Sequence, residues 1–391
     1  MQQTVFINGR FLGQRLTGVQ RYAHESLRAL DALVARGEAG PDVRFEVLAP
    51  PGVKSPELTA IAFRNVGRLR GNAWEQLSLP RAAKASLLLG FGPTGPAVKA
   101  SQIVTVHDAA VHVVPRAFSW RFRAWYKVLL PVLVRRSVRV MTVSHFSRGQ
   151  VARYFKADAR SMRVSGEGWQ HVLRIPSDLS VLSRHGLTNR RYVLVVGSLS
   201  PHKNLEVVAR AAALLSGAPL HVVVAGAVNE RVFGAGAPRG SVLKLLGYVS
   251  EGELRALYEH AAAFVHPSLY EGFGLPPLEA MALNCPVIAS NAAAIPETCG
   301  DAALYFEPQR AEQLAQHIER VVGDPRLRDA LLARASAQLA RHSWEGAAAR
   351  QLAVVREALS TCQSSGVLGA PTVGVHVDAP RAATEAEKPY G

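Results

Sequence analysis

Short apolar runs alternate with stretches of helical length along most of this chain, and that alternation restricts the fold more than any other feature. In the first half the runs are TVFIN (4–8), FEVLAP (45–50), SLLLG (86–90), IVTVHD (103–108) and RVMTVS (139–144). In the second half they are YVLVVG (192–197), LHVVVAG (220–226), AFVHPS (263–268), PVIAS (286–290) and ALYFEP (303–308). Strands spaced by helices are the mark of β-α units, whose strands pair in parallel under helical layers. One open α/β sheet per half is therefore expected.

The 391 residues, 48% of them hydrophobic, suffice for two domains with their own cores. The segment 177–191 is polar and without a strong period, and it reads as the linker. The expected division is 1–185 and 186–345, one open α/β sheet each, then a helix over 346–361. Helical patterns also fall at roughly 310–322, 325–341 and 345–360. The end, 362–391, is rich in small residues, proline and charge, and disorder is expected there.

Charge separates the halves. Residues 1–185 carry 27 Lys+Arg against 11 Asp+Glu, and residues 186–391 carry 18 against 19, so the whole excess behind the net +15 lies in the first half. Such asymmetry suggests an anionic partner for that half, or a generally arginine-rich composition. No helix-turn-helix, RNA-binding motif or zinc-finger spacing accompanies it, so nucleic acid is not the expected partner. The first residues lack a signal-peptide core and no apolar stretch is long enough to span a bilayer. A cytoplasmic protein is expected, or one held peripherally on the cytoplasmic face of the inner membrane. Three cysteines, with no C-x-x-C pair, fit a reducing compartment.

The most informative stretch is SLYEGFGLPPLEAMA (268–282). It sets Glu271 and Glu279 eight positions apart, with two glycines and two prolines between them. After the strand AFVHPS, Gly272 and Gly274 permit a tight loop, and Pro276 and Pro277 favour the first turn of a helix. A strand, a glycine loop and a helix N-terminus together form an anion site at the carboxyl edge of a parallel sheet. Glu279, expected in the first helical turn, faces the same crevice as Glu271. Carboxylates beside an anion site make sense as acceptors for sugar hydroxyls; a favourable dipole interaction alone is the plainer alternative. A second loop, VGSLSPHKNLE, supplies Lys203 as a cation for phosphate.

These stretches, with TVHD (105–108) and TGVQRYA (17–23), resemble the retaining glycosyltransferases of family 4, from about residue 4 to 360. The resemblance implies a GT-B fold, two Rossmann-like domains facing across a cleft, with 1–185 binding the acceptor, 186–345 binding the nucleotide sugar, and the helix over 346–361 returning to the first domain. It implies that Glu271 meets donor-sugar hydroxyls and that Glu279 holds the nucleotide ribose. Backbone N–H groups of Phe273, Gly274 and Leu275 would meet the sugar and diphosphate, beside Gly197, Ser198, His202 and Lys203. His107 would face the donor sugar across the cleft, and Gly18, in the loop after the first strand, would let backbone approach the reaction site. The sequence departs from the family's pattern in two places. Ser198 and His202 stand where many members have arginine, and SGEG (165–168) replaces Pro-Asn-Gly.

The implied reaction is retaining transfer of a hexose, in the first instance mannose from GDP-mannose, to a glycan or polyprenyl-diphosphate-linked acceptor in bacterial polysaccharide or O-antigen assembly. No D-x-D occurs in the chain, so no metal or other cofactor is expected and Lys203 with the helix N-terminus must meet the leaving phosphates. The rival readings are a silent nucleotide-sugar-binding protein and an epimerase or hydrolase on the same fold. In FSWRFRAWYKVLLPVLVRR (118–136) the apolar stripe fits either a core helix with solvated arginines or a surface on anionic lipid. The segments 71–80 and 90–96 are expected as acceptor-cleft loops.

Overall fold

The computed structural model describes residues 2–364 except 85, 188, 190, 199, 216–219 and 227–242. Seven strands form the first sheet: β1 Gln3–Asn8, β2 Val43–Ala49, β3 Ala62–Asn65, β4 Leu87–Gly90, β5 Gln102–Thr105, β6 Arg139–Thr142 and β7 Met162–Val164. Six form the second: β8 Tyr192–Val196, β9 His221–Ala225, β10 Leu243–Gly247, β11 Ala263–His266, β12 Val287–Ser290 and β13 Ala303–Phe306. Every pairing is parallel. The spatial orders are β3-β2-β1-β4-β5-β6-β7 and β10-β9-β8-β11-β12-β13. Both orders reverse after their first strand, placing switch points at β1/β4 and β8/β11, where loops diverge and open a crevice. Strands such as β4, β5, β11 and β12 are buried at every residue, as parallel strands covered on both faces must be.

The ten strands expected from the apolar runs are present. β3, β7 and β10 were missed because they are edge strands of three to five residues with little or no full burial, and so lack a continuous apolar run. The linker stretch contains a short helix, Ser180–Arg184.

The longer helices used below are α1 Gly18–Ala35, α2 Trp120–Arg136, α3 His145–Phe155, α4 Leu275–Ala282 and α5 Trp344–Ser364. α5 starts two residues before the expected 346 and ends at Ser364, so residues 362–364 are helical, and the rest of the expected tail, 365–391, lies outside the described residues. α5 returns to the first unit. Gln351 Nε2 donates to Tyr22 Oη and Ser26 Oγ, both at 2.9 Å, Arg36 pairs with Glu345, and Arg139 Nη2 donates to Thr361 at 3.0 Å.

The 118–136 stretch divides in two. Leu129, Leu130, Leu133 and Val134 are core, while Trp120 and Val128 are about 70% exposed. Phe118, Phe122 and Tyr126 stack in a ladder at 5.1 and 4.1 Å. Among the described residues no helix is long and apolar enough to cross a membrane.

Candidate active site

At the switch point of the second sheet, the loops after β8 and β11 bring Lys203 and Glu271 together. Lys203 Nζ donates to Glu271 Oε1 at 2.5 Å, and both side chains are largely buried. Asn204, in the left-handed region at φ 53°, donates to the carbonyls of Pro267 and Pro308, and the Leu269 N–H donates to His202 O. These bonds fix Lys203 beside the motif. Gly197 lies under the Lys203 stem, His202 Nδ1 contacts Ser200 Oγ at 2.9 Å, and Ser198 is exposed at the loop's edge. Burial works against ionisation of Glu271, but the Lys203 ammonium and His266 outweigh it and hold the carboxyl well below its usual range. The His266 imidazole is buried with neither ring nitrogen hydrogen-bonded among the described residues; its Nε2 lies 3.4 Å from Glu271 Oε1, out of hydrogen-bond alignment.

The glycine loop then turns into α4. Gly274 has φ 116° and precedes Leu275, and Pro276 and Pro277 sit in the first turn, where no N–H is needed. Phe273 and Leu275 are buried, and Thr298 Oγ1 holds the Phe273 carbonyl at 2.7 Å. Glu279 is the fifth residue of the helix, so it lies in the second turn rather than the first, because the helix begins at Leu275. Its two oxygens accept from His171 Nε2 at 2.9 Å and Tyr258 Oη at 3.3 Å. The Trp344 indole N–H donates to His171 Nδ1 at 3.1 Å, so the ring proton is on Nε2, aimed at Glu279. Burial opposes ionisation of Glu279, and the His171 bond and the nearby Arg21 overcome it.

The first unit closes onto the same loop. Ser144 and Ser147 donate to the Gly272 carbonyl at 2.5 and 2.8 Å, Ala109 N–H donates to Tyr270 Oη at 3.1 Å, and Glu297 accepts the His145 and Phe146 N–H groups at the start of α3. A side chain on Gly272 would meet the His107 carbonyl at 2.6 Å. His107 itself is buried. Its Nε2 bonds the Phe91 carbonyl at 3.0 Å, which places the proton there and leaves the Nδ1 lone pair facing Glu167 Oε1 at 3.9 Å. Burial lowers the His107 pKa to about 4, so the ring is neutral. Glu167 is pushed well above the usual carboxyl range by burial and by the fields of Glu271 and Glu279. Burial also raises neighbouring Asp108 to about 6.

The predicted residues of the second unit therefore lie on two neighbouring loops and the helix that follows, and one predicted residue of the first unit sits on a different element than expected. Gly18 is not in a loop: it is the first residue of α1, with open space where a side chain would point. The fold uses Thr17 as the residue before the helix, so Gly18 takes helical angles. Sequence reasoning missed Glu167, His171, His266, Ser144 and Ser147. Of these only Glu167 carried a local signal, standing in SGEG where the family pattern has asparagine. Asp108, in TVHD, is a further carboxyl at this site for which the motif implied no role.

Two Rossmann-like units closing over a lysine, a glycine loop and paired glutamates define a GT-B glycosyltransferase. The family model described as "Glycosyl transferases group 1" matches residues 183–338. The "O-antigen chain mannosyltransferase B" of Escherichia coli is 31% identical over 257 residues, covering 62% of this chain and 67% of that one. The "O-antigen chain mannosyltransferase RfbU" of Salmonella typhimurium is 27% identical over 81% of this chain and 90% of that one. Among solved structures, sucrose-phosphate synthase from Thermosynechococcus elongatus superposes with a TM-score of 0.65 at 17% identity, over 92% of this chain and 100% of that one. The chain belongs to the group 1 glycosyl transferases.

Proposed function

We propose that this glycosyltransferase moves mannose from GDP-mannose to a glycan or polyprenyl-diphosphate-linked saccharide in bacterial surface polysaccharide assembly, with retention of configuration and without a metal. The carrying observation is the Lys203–Glu271 pair at the β8/β11 switch point, beside the N-terminus of α4. Lys203 turns from Glu271 to the donor's diphosphate and, with the helix N–H groups, meets the charge that develops as the bond from sugar C1 to phosphate oxygen breaks. The acceptor oxygen bonds to C1 on the same face, and its proton passes to the departing phosphate. Glu271 accepts donor hydroxyl protons, Glu279 holds the ribose, and His107 lines the sugar's far side. The names of both relatives support mannose as the donor sugar. The absence of D-x-D and the presence of Lys203 support metal independence. The cationic first half and the exposed Trp120, with Arg121 stacked 5.4 Å over its ring, support a peripheral seat on anionic membrane at its cytoplasmic face.

The test is calorimetric titration of wild type and Lys203→Ala with GDP-mannose, UDP-glucose, UDP-GlcNAc and dTDP-rhamnose, with and without magnesium. GDP-mannose alone should bind, without metal, and Lys203→Ala should weaken it at least tenfold. Binding of another donor, a magnesium requirement or an indifferent Lys203 variant would overturn the corresponding part.

A further inference from the structure

The first sheet has a switch point of its own, between β1 and β4, and a cavity of about 680 Å³ opens there. Its floor is a buried polar cluster. Glu75 is fully buried and accepts from Asn8 Nδ2 at 2.8 Å, Thr94 Oγ1 at 2.9 Å and Arg10 Nη1 at 2.6 Å; Arg10 Nη2 donates to Asn72 at 2.5 Å. Glu75 points inward from a π-helical turn, Trp74–Ser78, set between two α-helical turns, so the stretch expected as a loop at 71–80 is helical. Such single π turns are rare and occur frequently at functional sites. The second expected cleft segment, 90–96, supplies Thr94.

One wall is the ladder of Phe118, Phe122 and Tyr126, with Trp125 beside it. Two donors among the lining residues are buried without a partner among the described residues, Arg10 Nε and Trp125 Nε1. Tyr126, also a lining residue, has its hydroxyl pKa raised to about 12, chiefly by burial, with smaller effects from Arg10, Glu75 and Asp108. His107 and Asp108 also line the cavity and so connect it to the motif loop.

The charges are ordered. On the floor Arg10 and Glu75 cancel, whereas the exposed lining residues Arg15 and Arg121 leave the mouth cationic. A buried ion pair is weak evidence of stabilisation, since desolvation offsets its attraction. Here it fixes the guanidinium plane and leaves the Arg10 Nε–H without a partner among the described residues. A polar floor beside flat aromatic faces suits a ring that offers hydroxyl oxygens on its rim and C–H bonds on its face.

We infer that this cavity seats the acceptor in a fixed direction, with a neutral hexose on the Arg10–Glu75 floor against the aromatic wall and the acceptor's anionic part at Arg15 and Arg121. The inference rests on the transferase reading, and it makes the inner subsite specific for an uncharged sugar.

The probes are octyl glucoside, galactoside and mannoside, and the same hexoses as octyl diphosphate esters, titrated calorimetrically into the full-length protein without donor. At least one neutral hexoside should bind saturably. Trp125→Phe and Tyr126→Phe keep their rings and should each weaken neutral and diphosphate forms alike, by about 5- to 10-fold for one lost hydrogen bond. Arg15→Ala combined with Arg121→Ala should leave the neutral form within twofold and weaken the diphosphate form at least tenfold. The inference is overturned if no hexoside binds wild type, if Trp125→Phe and Tyr126→Phe change neither form, or if the double arginine variant harms both forms equally. Nucleotide-sugar titrations run in parallel separate the two readings. Failure of every donor would count against the donor assignment, whereas the hexoside results alone decide the seat.

Discussion

Gly272→Ala is the sharpest probe of whether transfer requires the two units to meet at the motif loop. Gly272 does not have positive φ, so alanine is allowed by its backbone and the whole effect comes from contact. The new methyl would lie 2.6 Å from the His107 carbonyl oxygen, 3.2 Å from Asp108 Cβ and 3.3 Å from Ser147 Oγ. Restoring an ordinary 3.4 Å contact with the carbonyl requires a shift of roughly 0.8 Å, because backbone cannot rotate aside as a side chain would. That shift stretches the Ser144 and Ser147 bonds to Gly272, now 2.5 and 2.8 Å, past the normal O–H···O range. Overpacking of this kind costs about 1–3 kcal/mol. If closure precedes transfer, kcat should fall about 5- to 150-fold. Donor affinity should stay within about threefold, since Lys203, Glu271 and α4 all belong to the second unit. The assay is steady-state transfer, with donor binding by calorimetry and radius of gyration by X-ray scattering; Gly149→Ala, on the open side of α3, serves as control. A kcat within twofold of wild type, or a fall with unchanged compactness, would refute the reasoning.

Two further substitutions test the ground around the site. Asp108 has its pKa raised from 3.8 to about 6 by burial, so its contribution to stability is fully present below about pH 4 and is lost as pH rises through 6. Asp108→Asn keeps an acceptor for the Ala110 N–H and should remove that decline, up to about 3 kcal/mol between pH 4 and 7.5, an upper bound because the side chain is partly accessible. Thermal midpoints of both proteins at the two pH values check this; parallel curves would contradict it. Gly168→Ala would place a methyl 2.2 Å from Trp344 N, where the two chain crossings between the units touch, and should expose α5 to hydrogen exchange and lower the thermal midpoint. Unchanged exchange along α5 would count against a tight crossing.

What the sequence disclosed was whatever had a local chemical cause. Strands buried on both faces show as apolar runs, and the glycines and prolines of 272–277 spell out a turn into a helix, so the sheets and the motif loop were legible. The partners of those residues were not. His171 and Glu279 are 108 positions apart, Asn8 and Glu75 67 apart, and Ser144 and Gly272 128 apart. Nothing in the neighbourhood of one announces the other: Asn8 and Glu75 meet only through the folding of the first unit, and Ser144 and Gly272 only through the packing of the two units. Glu75 was doubly hidden, because the π turn that aims it inward has no marking residue. Glu279 was misplaced by a turn because two prolines signal the start of a helix without fixing which residue comes first.

The return of α5 has a consequence for the order in which the chain can mature on the ribosome. Leu352, Val355, Ala358 and Leu359 share one buried cluster with Leu27 and Leu30 of α1, and Gln351 satisfies Tyr22 and Ser26. The first unit thus leaves the ribosome with one face bare. At 5–20 residues per second that face waits roughly 10–35 s, from about residue 185 until residue 364 is made. The second sheet and its helices, with a separate apolar cluster, need nothing from further upstream on that side. The half made first is finished last, and a nascent chain stalled before residue 344 should be the species that chaperones hold.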